Sequence, residues 1–485
     1  MFNFLKNLWS SKVEDVPGVL QVAAAGADFN YLVNDPTTPN LRLPVSYPSM
    51  GKLDFSVAGK VKNPRDTKQK QAANVYITIG NFINYFQKRA RTPVRRWAAT
   101  QRLRVVPVAG KMLNAYYNRK GLHFFFELDP KTMQIVYTAD SGDIVAHELG
   151  HALLDAMRPD FWSVQALEIW SFHETFADVA AMMSIMQHDI VLRHALKETG
   201  GDLRKSNVIC RLAEEVGNTV YHLTRGQGGR KPGALRDASN VFKYVNPAKL
   251  PKQAPDNELA AECHSFGRVF LGAWYESMVS IYNYNMRKGM SPLKALKNAK
   301  EVAYRIFLEA IPSTPRTPRY FDAVARSMIA IAKSKGEDYV AIYTKVFEDW
   351  NLLRPQIKIL SNKTWDEVRE GLKETDEVLT HGDTTIVRST STKTIKLGDH
   401  IPDGMISAMT VAGQDLADVE VEVAADSYYE FKNGHLVEEI VPDEQEVIDD
   451  ARLCALAIQF ENDLGPDDET MWAVEDGKLV RTFVA

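Results

Sequence analysis

A chain of 485 residues, 45% hydrophobic and 25% charged, has the composition of a soluble globular protein, and it exceeds what one core holds, so two or three domains are expected. No stretch reaches the roughly 18 unbroken apolar residues of a membrane span. Three cysteines (Cys210, Cys263, Cys454), none in a CxxC pair, exclude a disulfide framework and a cysteine-rich zinc site. The start, MFNFLKNLWSSKVEDV, has an apolar patch cut by Lys6 and Asn7 and does not read as a secretory signal, so a cytoplasmic protein is expected. Net charge is −4 but unevenly spread: residues 366–485 carry 9 Lys/Arg against 29 Asp/Glu, and the first 365 carry 49 against 33. That asymmetry predicts a separate acidic C-terminal domain.

In chain order, residues 1–38 read as an irregular N-terminal segment. Short strands follow between Leu41 and Val61, then a helix over Gln69–Lys88, where apolar residues recur three and four apart. Gln101–Val108, Leu122–Glu127 and Gln134–Thr138 read as strands. From Ile144 to Leu353 the pattern is helical, in blocks that include IVAHELGHALLDAM, SFHETFADVAAMMSIMQHDI, NVICRLAEEVGNTVYHL and SFGRVFLGAWYESMVSIYNYNM. Beyond Pro355, SYYEFKNGHLVEEIV and TMWAVEDGKLVRTFV each read as a hairpin turning at Asn433–Gly434 or Asp476–Gly477, flanking a helical stretch over Glu444–Phe460.

The chemistry concentrates at HELGH, residues 147–151. Two histidines four apart project from one face of a helix, so His147 and His151 can reach one ion. Glu148 beside them can take a proton from a water on that ion. A catalytic zinc needs a third protein ligand, and the next helix offers Glu174 in SFHETFAD. Asp178, one turn later on the same face, can accept the second ring N–H of a ligand histidine. The apolar residues around this pair (Phe172, Phe176, Val179, Met182) predict a buried helix, in which carboxylates need partners.

With these segments in hand, the chain resembles the thermolysin-like zinc metallopeptidases of the gluzincin type. AHELGHALLD resembles that family's zinc helix and HETFAD its segment carrying the glutamate ligand. LNAYYNRKGLHFFF (113–126), GALRDASN (233–240), CHSFGRVFLGAWY (263–275) and the run RYFDAVARSMIAIAKSKGEDYVAIYTKVFEDWNLL resemble further family segments in the family's order, over residues 70–354. The resemblance implies an α+β fold with a strand-rich N-lobe including the zinc helix (39–157) and a helical C-lobe (158–354); the acidic region (358–485) has no counterpart in the family and reads from its own charge and hairpins as a separate α+β domain. The resemblance further implies a Zn2+ cofactor on His147, His151 and Glu174, Glu148 as general base, and His264 as donor to the oxyanion. Asn114 and Arg236 would hold the substrate main chain, and the Ala115–Tyr116 strand edge would pair with it. The implied reaction is hydrolysis of a peptide bond in a peptide or protein substrate.

The chain also departs from the family. Trp162 stands where the family has a tyrosine, His173 replaces the asparagine before the glutamate ligand, and Leu259 replaces an aspartate that partners the catalytic histidine, with Glu258 and Glu262 as possible substitutes. Asp143 matches a calcium ligand whose partner carboxylates are missing, so no calcium site is expected. The alternative reading is a non-catalytic or regulatory binding protein on the same zinc fold. The acidic domain is expected to solubilise the chain, or to dock on the basic stretch Lys88–Arg104 and gate the cleft. That stretch has no nucleic-acid motif, and nucleic acid is not expected as a partner.

Overall fold

The computed structural model describes residues 30–38, 42–44, 53–58, 67–162 except 92, 166–353 and 364–399 with short gaps, and parts of 410–483. The chain is α+β. The predicted irregular start, as far as residue 29, and most of the predicted helix over 444–460 lie outside the described residues. The elements run β1 (Asn30–Leu32), β2 (Arg42–Pro44), β3 (Asp54–Val57), α1 (Thr67–Gln87), β4 (Arg102–Val106), β5 (Ala115–Tyr117), β6 (Gly121–Phe124), β7 (Phe126–Leu128), β8 (Ile135–Tyr137), α2 (Gly142–Met157), α3 (Leu167–Met186), α4 (Asp189–Thr199), β9 (Arg211–Leu212), α5 (Glu214–Thr224), β10 (Arg236–Asp237), α6 (Cys263–Arg287), α7 (Pro292–Ala310), α8 (Tyr320–Lys333) and α9 (Glu337–Asp349). Then come α10 (Trp365–Glu370), β11 (Glu377–His381), β12 (Thr384–Ser389), β13 (Thr392–Lys396), β14 (Thr410–Val411), β15 (Gln414–Asp415), β16 (Glu420–Ala424), β17 (Ser427–Lys432), β18 (His435–Ile440), β19 (Thr470–Glu475) and β20 (Lys478–Phe483). Among the described residues no helix is long and apolar enough to cross a membrane.

A four-stranded sheet of order β3-β4-β6-β5 packs on α1 and α2, and β5, its last strand, runs antiparallel to β6. Helices α2, α3 and α6 form the centre. Nearly every residue of α3 is buried, Trp170 excepted, so this helix reads as apolar on all faces rather than on one stripe. Two glycines set how closely its neighbours approach. A Cβ on Gly150 of α2 would meet Ala177 Cα at 2.7 Å and Ala180 Cβ at 2.9 Å. A Cβ on Gly267 of α6 would meet the Ser171 carbonyl oxygen at 2.8 Å and Glu174 Cβ at 3.2 Å. Side chains on three separate helices can therefore converge within a few ångströms, because backbone meets backbone where another residue would hold the helices apart.

Three predicted elements differ. The strand expected over Leu122–Glu127 breaks at Phe125, so that β6 stays in the four-stranded sheet and β7 turns away to pair with β8. The SFHETFADVAAMMSIMQHDI block divides at His188, whose extended backbone ends α3 and opens α4. The block NVICRLAEEVGNTVYHL is helical only from Glu214, because Arg211 and Leu212 pair with Asp237 and Arg236 as β9 and β10. Apolar spacing alone does not reveal that pairing, since its partner lies two dozen residues downstream.

In the acidic region the strands form sheets of order β11-β12-β17-β18 and β13-β16-β20-β19. Asn433 and Gly434 take positive φ of 51° and 79°, as the tight turn between β17 and β18 requires. The two hairpins that look alike in sequence thus fall in different sheets. Among the described residues the region meets the body through charge at Arg158, Asp160, Arg316 and Lys333. Asp426, fully buried, accepts from the backbone N–H of Arg316 at 2.7 Å and from its Nε at 3.2 Å, and the Asp426 N–H donates to the Arg316 carbonyl at 2.8 Å. Arg388 of β12 lies 3.3 Å from Asp160, which also binds the buried Arg158 at 2.9 Å. Lys333 pairs with Glu430. In the basic stretch, Arg89 pairs with Glu301 and Arg102 with Asp54.

Candidate metal centre

The sequence from Gly142 to Met157 makes α2 largely out of helix-forming Ala, Leu, Met and Glu, with Asp143 in its first turn where the helix dipole favours a negative charge. Asp143 is buried and satisfied by protein, accepting from Ser141, from the Ile144 N–H at 2.8 Å and from the Ala213 N–H at 2.7 Å. The 3.6-residue turn puts His147, His151 and Asp155 on one face, one turn apart. Helix α3 crosses at Gly150 and brings Glu174 and Asp178 against that face.

Three side chains then meet. His147 Nε2 lies 3.2 Å from His151 Nε2 and 3.5 Å from Glu174 Oε2, and His151 Nε2 lies 3.5 Å from Glu174 Oε1. Donor atoms at about 2.0–2.1 Å from one tetrahedral ion lie roughly 3.3–3.4 Å apart, close to the 3.2 Å between the two imidazole nitrogens and to the 3.5 Å from each nitrogen to the glutamate oxygen it faces, Oε2 for His147 and Oε1 for His151. Glu174 Oε2 is buried and accepts no hydrogen bond among the described residues. A buried carboxylate oxygen without a donor is costly unless a cation takes its place. The group His147, His151 and Glu174 can hold a metal ion.

Surrounding groups fix these ligands. His147 Nδ1 donates to Asp178 Oδ1 at 2.9 Å, which leaves the Nε2 lone pair facing Glu174 and His151. Arg236 holds Asp178 in turn, its Nε within 2.9 and 2.8 Å of the two carboxylate oxygens, so the β9–β10 pairing carries Arg236 into the centre. Burial works to lower the His147 pKa, as does Arg236, but Asp178 and Glu174 outweigh them and lift it to about 9. Burial works to raise Glu174, yet His264, His151 and His147 hold it well below the usual carboxylate range. The negative field that favours a proton on His147 favours a divalent cation as well. Glu148 is buried beside the group, and burial, with Glu174 adding to it, pushes its carboxyl up to about 7. A nearby cation would pull it back toward the ionised form, as any positive charge within a few ångströms does.

His264 lies at the first turn of α6, exposed, with Nε2 3.5 Å from Glu174 Oε1. Its Nδ1 donates to Glu262, which also caps α6 by accepting from the backbone N–H groups of His264 and Ser265 at 3.0 and 2.9 Å. Glu262, not Glu258, is therefore the carboxylate that orients this histidine; the Glu258 carbonyl instead accepts from Arg268. Glu174, followed by other neighbours including Glu262, raises the His264 pKa well above its ordinary value. Cys263 also comes within ligand reach of Glu174 and His264.

The remaining predicted residues sit farther out. Asn114 is exposed, and its side-chain oxygen accepts from the Ala115 N–H at 2.9 Å at the start of edge strand β5. Trp162 is buried in an aromatic wall, edge-on to Tyr117, Trp170 and His173, and the His173 ring stacks near His151 with centroids 5.8 Å apart. Asp155, fully buried, accepts from the Tyr117 hydroxyl at 2.8 Å and from Arg119 at 2.8 and 2.9 Å, tying the last turn of α2 to the edge strand. Its position four after His151, on the ligand face, was the available signal. Comparison of the chain with protein-family models and with curated proteins gives no match, and the centre stands on its own geometry.

Proposed function

We propose that the chain is a zinc metallopeptidase with a thermolysin-like, two-lobed core, in which His147, His151 and Glu174 hold Zn2+ and Glu148 activates water for hydrolysis of a peptide bond. The single observation that carries this is the convergence of two imidazole nitrogens, 3.2 Å apart and each 3.5 Å from a Glu174 oxygen, with Glu148 next to His147 on the same helix. Two imidazoles and one carboxylate are the donor set of a catalytic zinc that keeps one position open. Zinc, when bound, polarises a carbonyl oxygen and lowers the pKa of an adjacent water.

The chain's own groups do the rest. Glu148, buried and close to its titration point, takes the proton from water and can return it to the leaving amine. His264, charged and held by Glu262, donates toward the oxygen on which negative charge develops. Arg236 holds Asp178 and through it the tautomer of His147, so it acts as a positioning residue. The edge strand β5 offers a backbone with which an extended peptide can pair, once Asn114 releases the Ala115 N–H.

Glu148→Gln tests the reading. The variant should retain its metal, measured by elemental analysis, while cleavage of a broad peptide library falls by about 10^2 to 10^4-fold. Equal inertness of parent and variant would sink the peptidase reading in favour of a binding protein.

A further inference from the structure

The first two residues of the basic stretch, Lys88 and Arg89, face a cleft on the body apart from the metal centre. Where the end of α1 meets the α3–α4 junction and α7, an open polar cleft of about 700 Å³ is lined by Lys88, Arg89, Lys297 and Lys300, with two carboxylates, Asp189 and Glu301. Both carboxylates are already engaged: Arg89 binds Glu301 at 2.8 Å and Lys297 binds Asp189 at 2.6 Å. Four cations against two anions leave two positive charges in excess.

Lys300 stands out among them. It is only 7% exposed, and among the described residues its sole hydrogen bond is to the neutral Tyr85 hydroxyl at 3.0 Å, with no carboxylate at ion-pair distance. Tyr85 in turn lies under Arg89, whose guanidinium carbon is 3.4 Å from the ring centroid. Holding a buried ammonium without a counter-ion is unfavourable, and burial, with Arg89 adding to it, pushes its pKa down to about 8. Asn81, Asn84 and Gln187 complete the lining.

We propose that this cleft is a binding site for a small dianion of the phosphate class, inorganic phosphate or a phosphorylated small molecule, seated on the Lys300 ammonium and flanked by Lys88 and Lys297. The two excess positive charges match a phosphate group at neutral pH, which carries about −1.5 to −2. The volume falls in the roughly 300–1,000 Å³ range of small-molecule sites. Lysine meets phosphate as a point charge, and several donors around it suit several oxygens.

Isothermal titration of the full chain with inorganic phosphate, and separately with glycerol 3-phosphate, tests this. At least one probe should bind saturably at one site per chain; saturation by glycerol 3-phosphate alone identifies the phosphorylated-molecule source. Lys300→Met, which replaces the buried ammonium with an apolar chain of similar shape, should weaken that binding about tenfold or more, the scale of one lost charge-assisted contact. Lys88→Ala and Lys297→Ala, both on the rim, should each weaken it severalfold, which keeps the test open if Lys300→Met folds poorly. Glu174→Ala should bind the probe as the parent does. The proposal is overturned if neither probe saturates, if the lysine variants bind like the parent, or if binding disappears with Glu174 instead.

Discussion

Two regions of this molecule bury charge brought together from distant parts of the chain, and they do so to opposite ends. At the face where the acidic region meets the body, Arg158, Arg316 and Arg388 enclose Asp160 and Asp426, and each carboxylate has cationic partners. The three arginines outweigh the cost of burial and hold the Asp160 carboxyl well below the usual range. At the metal centre two histidines and a glutamate face one another at ligand spacing, and one glutamate oxygen is left without a donor. A cluster that neutralises itself is an attachment; one that leaves donor atoms aimed at a common point is a site. Buried charge alone does not tell the two apart; whether each buried carboxylate oxygen has a donor does.

The contrast breaks most readily at Glu174. Glu174→Ala should take the purified protein from about one metal ion per chain to near none after dialysis, because two imidazoles alone make a poor site. Full metal content in that variant would show that the carboxylate is not a ligand. Asp426→Ala acts on the other region. It leaves Arg316 and Arg388 to share Asp160 with Arg158 and should cost about 3–5 kcal/mol at the docking face, read as early release of the acidic region in limited proteolysis or denaturant titration. Metal content should not change. The depressed Asp160 pKa carries a sign: its contribution is fully present above the ordinary aspartate range and is lost only as pH falls through the lowered folded value. Docking should therefore survive mild acidification to about pH 4, and loosening near pH 6 would contradict the pairing. The smallest effect is at Gly150→Ala, where a new methyl group must be fitted between α2 and α3. We expect a loss of about 1–3 kcal/mol in thermal stability together with weaker metal retention, since the same displacement parts His147 and His151 from Glu174. A variant with unchanged stability would mean that the helices separate freely there.

Local pattern accounts for a good part of this. The 3.6-residue period alone aligns His147 with His151, and the apolar character of SFHETFADVAAMMSIM on every face announces a buried helix whose carboxylates need partners. The tight turn at Asn433–Gly434 was legible from its dipeptide. Long-range pairing was not legible from periodicity. Nothing local in NVICRL says that Arg211 and Leu212 will pair with β10, yet this pairing delivers Arg236 to Asp178. Net charge alone offered two readings of the acidic region, a solubilising domain or one docked on the basic stretch; among the described residues, Arg316 receives its Asp426 carboxylate, and Asp160, held by the buried Arg158, receives its Arg388. Net charge acts over a distance and sets attraction, while geometry at a few ångströms selects the partner.

The sequence by itself determined which side chains can bind a metal and which faces of which helices they occupy, because both follow from residue type and helical repeat. Only the tertiary structure decided that Glu174 reaches the two histidines, that Glu262 takes charge of His264, and that Lys300 lies under a cleft with no carboxylate of its own. These depend on how closely helices far apart in the chain approach, and that distance is set by packing at positions such as Gly150 and Gly267, where the absence of a side chain matters more than the presence of any one ligand.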